Sequence, residues 1–299
     1  MKRIFITIGV ALGIGFAALM RSDAAPIHLP DPMAGQGFAA CQAMFPGGKA
    51  PPPPSAAVED LCKTADGEAI FAVRFDTGRK SPAWTAHRLT VAQKTKIDAA
   101  PAYAKRRDFF SPDPELAETA QMPIAAYKNS GFNKGHLVRA QDMNWNANAY
   151  RTSFVMTNIA PQRGALNSGP WLGMEKAFQD LIKGKQMTLW SIAGVYGVRD
   201  DMPSLKNDPD AATAPNCFYK IIVAQTTDAK GNDTYKTLGA LFVNDDHDRK
   251  QTTWTRYVVP LERIEARTGI DFFKGLTVEQ NHDAAFWGVN LPNTPGDCR

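Results

Sequence analysis

The pattern of apolar and polar positions divides the chain into short β-rich runs and one clear amphipathic helix. Residues 70–75 (IFAVRF) and 84–91 (WTAHRLTV) read as strands around the turn DTGRKSP, so a β-hairpin opens the folded part. Residues 92–130 show no sustained period. GHLVRA and the half-alternating SFVMTNIAP at 153–161 predict two more extended segments, with PQRGAL as a loop after them. Over 167–185, Trp171, Met174, Phe178 and the Leu181/Ile182 pair recur at helical spacing behind Pro170, which suits a helix start. That stripe is a core face. The runs at 187–197, 217–226 and 234–245 are strands, the first a central one, with a surface loop over 198–216 and TDAKGND as a turn. WTRYVVPLERIEARTGIDFFKG brings an extended run into a short helix, with Phe272 and Phe273 anchoring the tail. No linker-like break interrupts residues 70–299. The expectation is one mixed α/β (α+β) domain over 70–299, with helices packed on a central sheet rich in antiparallel pairs.

The first residues follow a different pattern. Lys2 and Arg3, an apolar run to Met20 and then SDAAP have the three-part form of a signal peptide over 1–24. An uncleaved anchor is the alternative; either reading places the rest beyond a membrane, periplasmic or secreted, and cleavage leaves no stable membrane association. Residues 25–69, with PPPPS at 51–55, predict an irregular Pro/Gly-rich arm. Cleavage would remove three of the 34 Lys and Arg and one of the 30 Asp and Glu, lowering the formal charge from +4 to +2. Bulk charge is then a weak argument for a nucleic-acid partner, and any attraction to phosphate has to be local. Four cysteines in an exported chain favour disulfides in one of three pairings, against free buried thiols. The simplest pairs Cys41 with Cys62 and Cys217 with Cys298. Their spacing does not suit a metal knuckle.

The candidate chemistry gathers in residues 131–175. His136 follows a Gly-rich turn and sits beside Gly135 and Lys134. An imidazole can take a proton from water when placed within hydrogen-bond reach, while Gly135 admits a close approach. Asn167 would ordinarily be an N-cap, but its amide oxygen is also a hard neutral ligand suited to Mg2+. Glu175, eight residues on, lies about two turns along the helix and is better placed to hold a metal-bound water. Other features carry less. His87 reads as a half-buried structural residue or an exposed one. DDHD at 245–248 reads as an exposed turn rather than a metal site, and KRRD at 105–108 as either a solvated face or a phosphate-facing edge.

Together, Asn133-Lys134-Gly135-His136, the set Asn158, Ala160, Pro161, Gln162, Asn167, Trp171 and Glu175, and the element Arg107, Phe110, Asp113 and Pro114 resemble the sugar-non-specific DNA/RNA endonuclease family. The resemblance runs over roughly 70–280 and implies a ββα-metal active site. It implies a general base at His136, a direct Mg2+ ligand at Asn167, with Mn2+ as a substitute, and a water-mediated contact at Glu175. Arg107 and Lys134 would contact phosphate, and Asn158 would assist the phosphate or the site geometry. The implied reaction is hydrolysis of DNA and RNA without marked sequence specificity, leaving 5′-phosphate ends. Two residues depart from the family's DRGH pattern: Asn133 replaces Asp, and Lys134 replaces Arg. Both leave base and ligand in place, and Lys134 keeps a positive charge without the bidentate fork. A local basic face of Arg106, Arg107, Lys134, Arg139 and Arg163 would meet the phosphate backbone. Such an exported nuclease often needs an inhibitor protein as partner, and either a monomer or a homodimer is compatible. A non-catalytic nucleic-acid binding protein, such as a DNA-uptake factor, is the principal rival; an envelope scaffold and a phosphodiesterase of small nucleotides are the others.

Overall fold

The computed structural model describes residues 37–53, 58–99, 109–198, 214–246, 253–279, 282–292 and 298. The expected signal peptide, Arg106 and Arg107, most of the loop after Val198, and His247 and Asp248 lie outside them. Seven strands form an antiparallel sheet in the order β1 (Val58–Ala65), β2 (Glu68–Asp76), β3 (Ser81–Leu89), β6 (Leu189–Val198), β7 (Pro215–Thr227), β8 (Asp233–Val243) and β9 (Val258–Val259). Both faces of this sheet are covered. On one side Phe218, Ile222, Leu238 and Phe242 pack under helix α4 (Pro170–Lys185); on the other Tyr219, Ile221, Val223 and Leu241 meet α5 (Leu261–Thr268) and the buried Phe272 and Phe273. Burial on both faces explains why β7 reads as an almost unbroken apolar run. The period of two also puts Lys220 on the α4 side, between Phe218 and Ile222.

A separate two-stranded antiparallel ribbon, β4 (Phe132–His136) with β5 (Ile159–Arg163), leads into α3 (Gly164–Ser168) and then α4. This is the expected ββα arrangement. Pro170 opens α4, and Gln186 in the left-handed region closes it. Trp171, Met174, Phe178 and Ile182 are at most 1% exposed, and burying each such side chain contributes about 1.5–3 kcal/mol. That burial fastens the helix to the sheet, and through it the residues that α4 carries.

Several local expectations change. Residues 58–65 are not part of an irregular arm: they form β1, whose Lys63 is buried against Asp113 and Glu115, so the sheet opens as a three-strand meander. Strand β3 stops at Leu89, because Thr90 and Gln93 form a capping box for α1 (Val91–Ala99) within the supposedly aperiodic stretch. Asn146 caps α2 (Ala147–Thr152) in the polar gap. Residues 153–158 are not strand, since a 3-10 turn at Met156–Asn158 precedes β5. β5 itself runs into the expected PQRGAL loop, and α3 follows it. Asn167 is therefore not at the mouth of α4. It lies in α3, across the break at Gly169. Both simplest cysteine pairings are present: Cys41–Cys62 and Cys217–Cys298.

Candidate active site

His136 ends β4, opposite Ile159, and its backbone is held from three directions. Its own carbonyl accepts from Trp171 Nε1 at 3.3 Å, the next amide, Leu137 N, donates to Asn158 O at 3.0 Å, and Leu137 O accepts from Lys220 Nζ at 3.4 Å. The imidazole packs edge-on against Phe154 at 4.8 Å and tilted against Phe110 at 5.4 Å between ring centroids. Nε2 is closed off from solvent, while the residue as a whole is half-buried. Gly135 is required by contact rather than by an unusual φ: a Cβ there would lie 2.4 Å from Gln162 Oε1 and 2.6 Å from Gln162 Cβ. Glycine alone lets β4 lie this close to β5.

Asn158 is fully buried. Its Oδ1 accepts from Val138 N at 2.9 Å, and its Nδ2 donates to Val138 O at 2.9 Å and Ser153 O at 2.8 Å. With its amide spent on backbone, it serves the geometry of the segment after His136 and has nothing left to offer phosphate. Asp113 is likewise internal, bonded by Lys63 and Thr157. Phe110 brings the same upstream element to His136, and Lys134 Nζ sits 4.2 Å over its ring. Arg163 is occupied with the Phe132 ring and Asp246, which also accepts from Ala165 N. Asp246 thus belongs to the start of α3 and not to a metal cluster.

One cleft, ≈ 320 Å³ in volume, gathers His136, Asn167, Glu175 and Arg139 with Tyr150 and Phe154. The expected base and metal-side residues, His136, Asn167 and Glu175, thereby meet, although they stand on a strand, a short helix and a long helix. Asn167 is half-buried, and its side chain makes no hydrogen bond among the described residues. Glu175 is 5% exposed, with Arg139 Nε 3.5 Å from Oε2 and Lys220 Nζ 3.6 Å from Oε1. Burial pushes its carboxyl up to about 7; Lys220 and Arg139 pull it down, and Asp142 adds to the rise. Burial in turn holds the Lys220 ammonium below its ordinary value, against the pull of Glu175 and Asp142. Asp142 goes the other way: burial would raise it, but His87, Arg139 and the Gln179 amide together hold it low.

This buried network is what the sequence reading missed. Lys220 (1% exposed) lies over the Trp171 ring at 4.3 Å, and His87, buried rather than half-buried or exposed, places Nε2 3.3 Å from Asp142 Oδ2. Gln179 Nε2 donates to the other Asp142 oxygen at 2.7 Å. A cation in the middle of CFYKIIVAQT and a histidine inside WTAHRLTV are visible signals of such a network, because an unpaired charge inside a two-sided sheet is costly.

A sequence profile of the DNA/RNA non-specific endonucleases matches residues 62–279. The chain belongs to that family. Among its relatives, the mitochondrial nuclease EXOG of Xenopus laevis is 26% identical over 216 residues, covering 69% of this chain and 57% of that protein. A nuclease of Nostoc is 28% identical over 179 residues, covering 58% of this chain and 62% of that protein. The chain thus spans less than two thirds of the length of these relatives. A chain from the crystal structure of the EndoG/EndoGI complex superposes with a TM-score of 0.57 at 22% identity, covering 75% of this chain and 92% of that one. This likeness establishes the shared endonuclease fold.

Among the described residues no group of three or more His, Cys, Asp or Glu gathers to hold a metal. The donors of this cleft fit a different kind of ion: one amide oxygen from Asn167 on α3, with the Glu175 carboxyl from α4 in the same lining. That set suits a hard divalent cation that keeps most of its water, as Mg2+ does.

Proposed function

We propose that the chain is a metal-dependent endonuclease that hydrolyses phosphodiester bonds of DNA and RNA without marked sequence specificity, leaving 5′-phosphate and 3′-hydroxyl ends. The observation that carries this reading is the meeting of His136, Asn167 and Glu175 around one cleft. Because Nε2 of His136 is shut from solvent, Nδ1 is the nitrogen that takes a proton from the attacking water. Phe110 and Phe154 fix the ring's plane, and Trp171 and Lys220 fix the backbone that carries it. Asn167 would hold a divalent ion directly and Glu175 through water, with Mg2+ as the expected ion and Mn2+ as a substitute. When bound, the ion supplies positive charge to the phosphate as charge grows on the leaving oxygen. Lys134, with its charge poised over Phe110, and Arg107 upstream steady the remaining phosphate oxygens.

Reading through phosphates explains a tolerance for many sequences, since backbone contacts carry little base information. The cation-bearing rim predicts salt-sensitive binding. The two disulfides suit an oxidising compartment, in keeping with a periplasmic or secreted protein whose residues 1–24 are a leader. An inhibitor protein is a natural partner for such an enzyme, and the EndoG/EndoGI complex is a related fold caught with an inhibitor. Digestion of supercoiled plasmid and of RNA with Mg2+ or Mn2+, against an EDTA control, tests the proposal. Cleavage that disappears in His136→Ala and Asn167→Ala is expected. A wild type that retards DNA on a gel but leaves it uncut would make the chain a binding protein.

A further inference from the structure

Beside the His136 cleft lies a wider one, ≈ 660 Å³, and the two meet at Asn167 and Ser168, which line both. One wall is the 3-10 turn Ile124–Tyr127 followed by Lys128; Phe110 contributes to the lining, and Asn133 and Lys134 form part of the border. A polynucleotide whose phosphate lies at Asn167 has to continue on one side or the other, and this cleft is the continuous space. Its size is that of a small-molecule site, with room for a sugar and one base. Its chemistry is suited to a nucleotide: an aromatic ring, with Lys134 Nζ 4.2 Å over it and Lys128 exposed at the margin. Both residues that depart from the DRGH pattern, Asn133 and Lys134, line this second cleft and neither lines the first. Their replacement therefore falls on the lining of the second cleft, at its border with the first.

We propose that this second cleft is a nucleoside subsite, seating one unpaired nucleotide next to the phosphate at Asn167 and making the chain favour single-stranded over duplex nucleic acid. The proposal rests on the nuclease reading for the position of the phosphate. A base enters such a pocket only after leaving its stack, which costs a few kcal/mol in a duplex and much less in a single strand. Ala125, exposed on the turn and outside the catalytic machinery, is the place to obstruct it.

The experiment measures binding of a fluorescent single-stranded oligonucleotide and of its duplex by anisotropy, in the His136→Ala background with Mg2+ so that no turnover intervenes. Ala125→Trp is expected to weaken single-strand binding at least tenfold and duplex binding less than twofold, with Ala125→Leu intermediate and thermal melting unchanged in whichever variant is scored. In the His136-containing enzyme, hydrolysis of bis(p-nitrophenyl) phosphate, which has no nucleoside, reads the chemical step separately. Equal weakening of both nucleic acids, no weakening of either, or a parent that holds the duplex as tightly as the single strand would overturn the subsite. A protein that prefers single strands through this cleft yet never cleaves the ester or the plasmid would instead remove the nuclease reading and leave the subsite standing.

Discussion

Glu175 gives the metal-free protein an unusual dependence of stability on pH. Its carboxyl titrates at about 7 in the folded chain against an ordinary 4.5, chiefly because burial disfavours the anion. Between those values the folded state holds a proton that the unfolded chain has lost. The contribution of Glu175 to stability is therefore fully present below about pH 4.5 and is lost as pH rises through about 7. At about 1.4 kcal/mol per pKa unit, the displacement amounts to roughly 3 kcal/mol, and the side chain is too buried for solvent to discount it much. Glu175→Gln removes the titration and keeps the shape. Urea unfolding in EDTA, with both disulfides intact, would be compared for the two proteins across this range. The wild type should lose roughly 3 kcal/mol more than the variant between the acid and alkaline ends. Saturating Mg2+ should shrink that difference, since an ion held beside Glu175 favours the carboxylate. Parallel stability curves in EDTA would refute the assigned burial effect, and a wild type that gains on the variant as pH rises would reverse its sign.

Gly135→Ala should abolish cleavage while costing about 1–3 kcal/mol of stability by calorimetry, because its Cβ would press on the buried Gln162 and part β4 from β5. Asn158→Ala leaves Val138 N, Val138 O and Ser153 O without their side-chain partner; each buried group so stranded costs about 1–3 kcal/mol, and a chemical melt should show the loss together with reduced activity. Lys220→Met takes one of two cations from Glu175 and should destabilise the protein by about 3–5 kcal/mol above neutral pH, less in acid where Glu175 is neutral; the same melt at two pH values reads it. Opening Cys217–Cys298, which spans 81 residues, should cost about 4.5 kcal/mol by loop entropy, and opening Cys41–Cys62, which spans 21, about 3.3; paired Cys→Ser variants rank the two.

Much of the fold was legible because its signals are local and periodic. The stripe of Trp171, Met174, Phe178 and Ile182 defined α4, and apolar runs bounded by turn formers located β2, β3, β6, β7 and β8. The edge strand β1 escaped because VEDLCKTA carries charges that find partners only at a distance, Lys63 at Asp113 and Glu115, Asp60 at Arg74. Asn167 was picked out for its amide but set on the wrong helix, since sequence spacing does not show that Gly169 breaks the chain between α3 and α4. Asn158, read as assisting the phosphate or the site geometry, has its side chain bonded to the backbone of Val138 and Ser153. A side chain amide says nothing of its partners until the backbone beside it is placed.

The charges beneath the cleft tie together walls that come from separate elements. Glu175, Lys220, Arg139, Asp142, His87 and Gln179 belong to β3, β7, the segment after β4, and α4, and their contacts join β3 to that segment, the segment to α4, and α4 to β7. Apolar side chains of similar volume would hold these elements together at least as strongly, since desolvating an ion pair offsets much of its attraction. What an apolar core lacks is direction. The Glu175 carboxyl is set between two cations, one on each oxygen, one of which also holds the carbonyl after His136, and it lines the cleft. The network therefore exchanges stability for placement: it fixes where a negative charge stands relative to the imidazole and to Asn167. Glu175 is a buried carboxyl whose ionisation burial opposes, and it lines the cleft, so its raised titration goes with its place at the site.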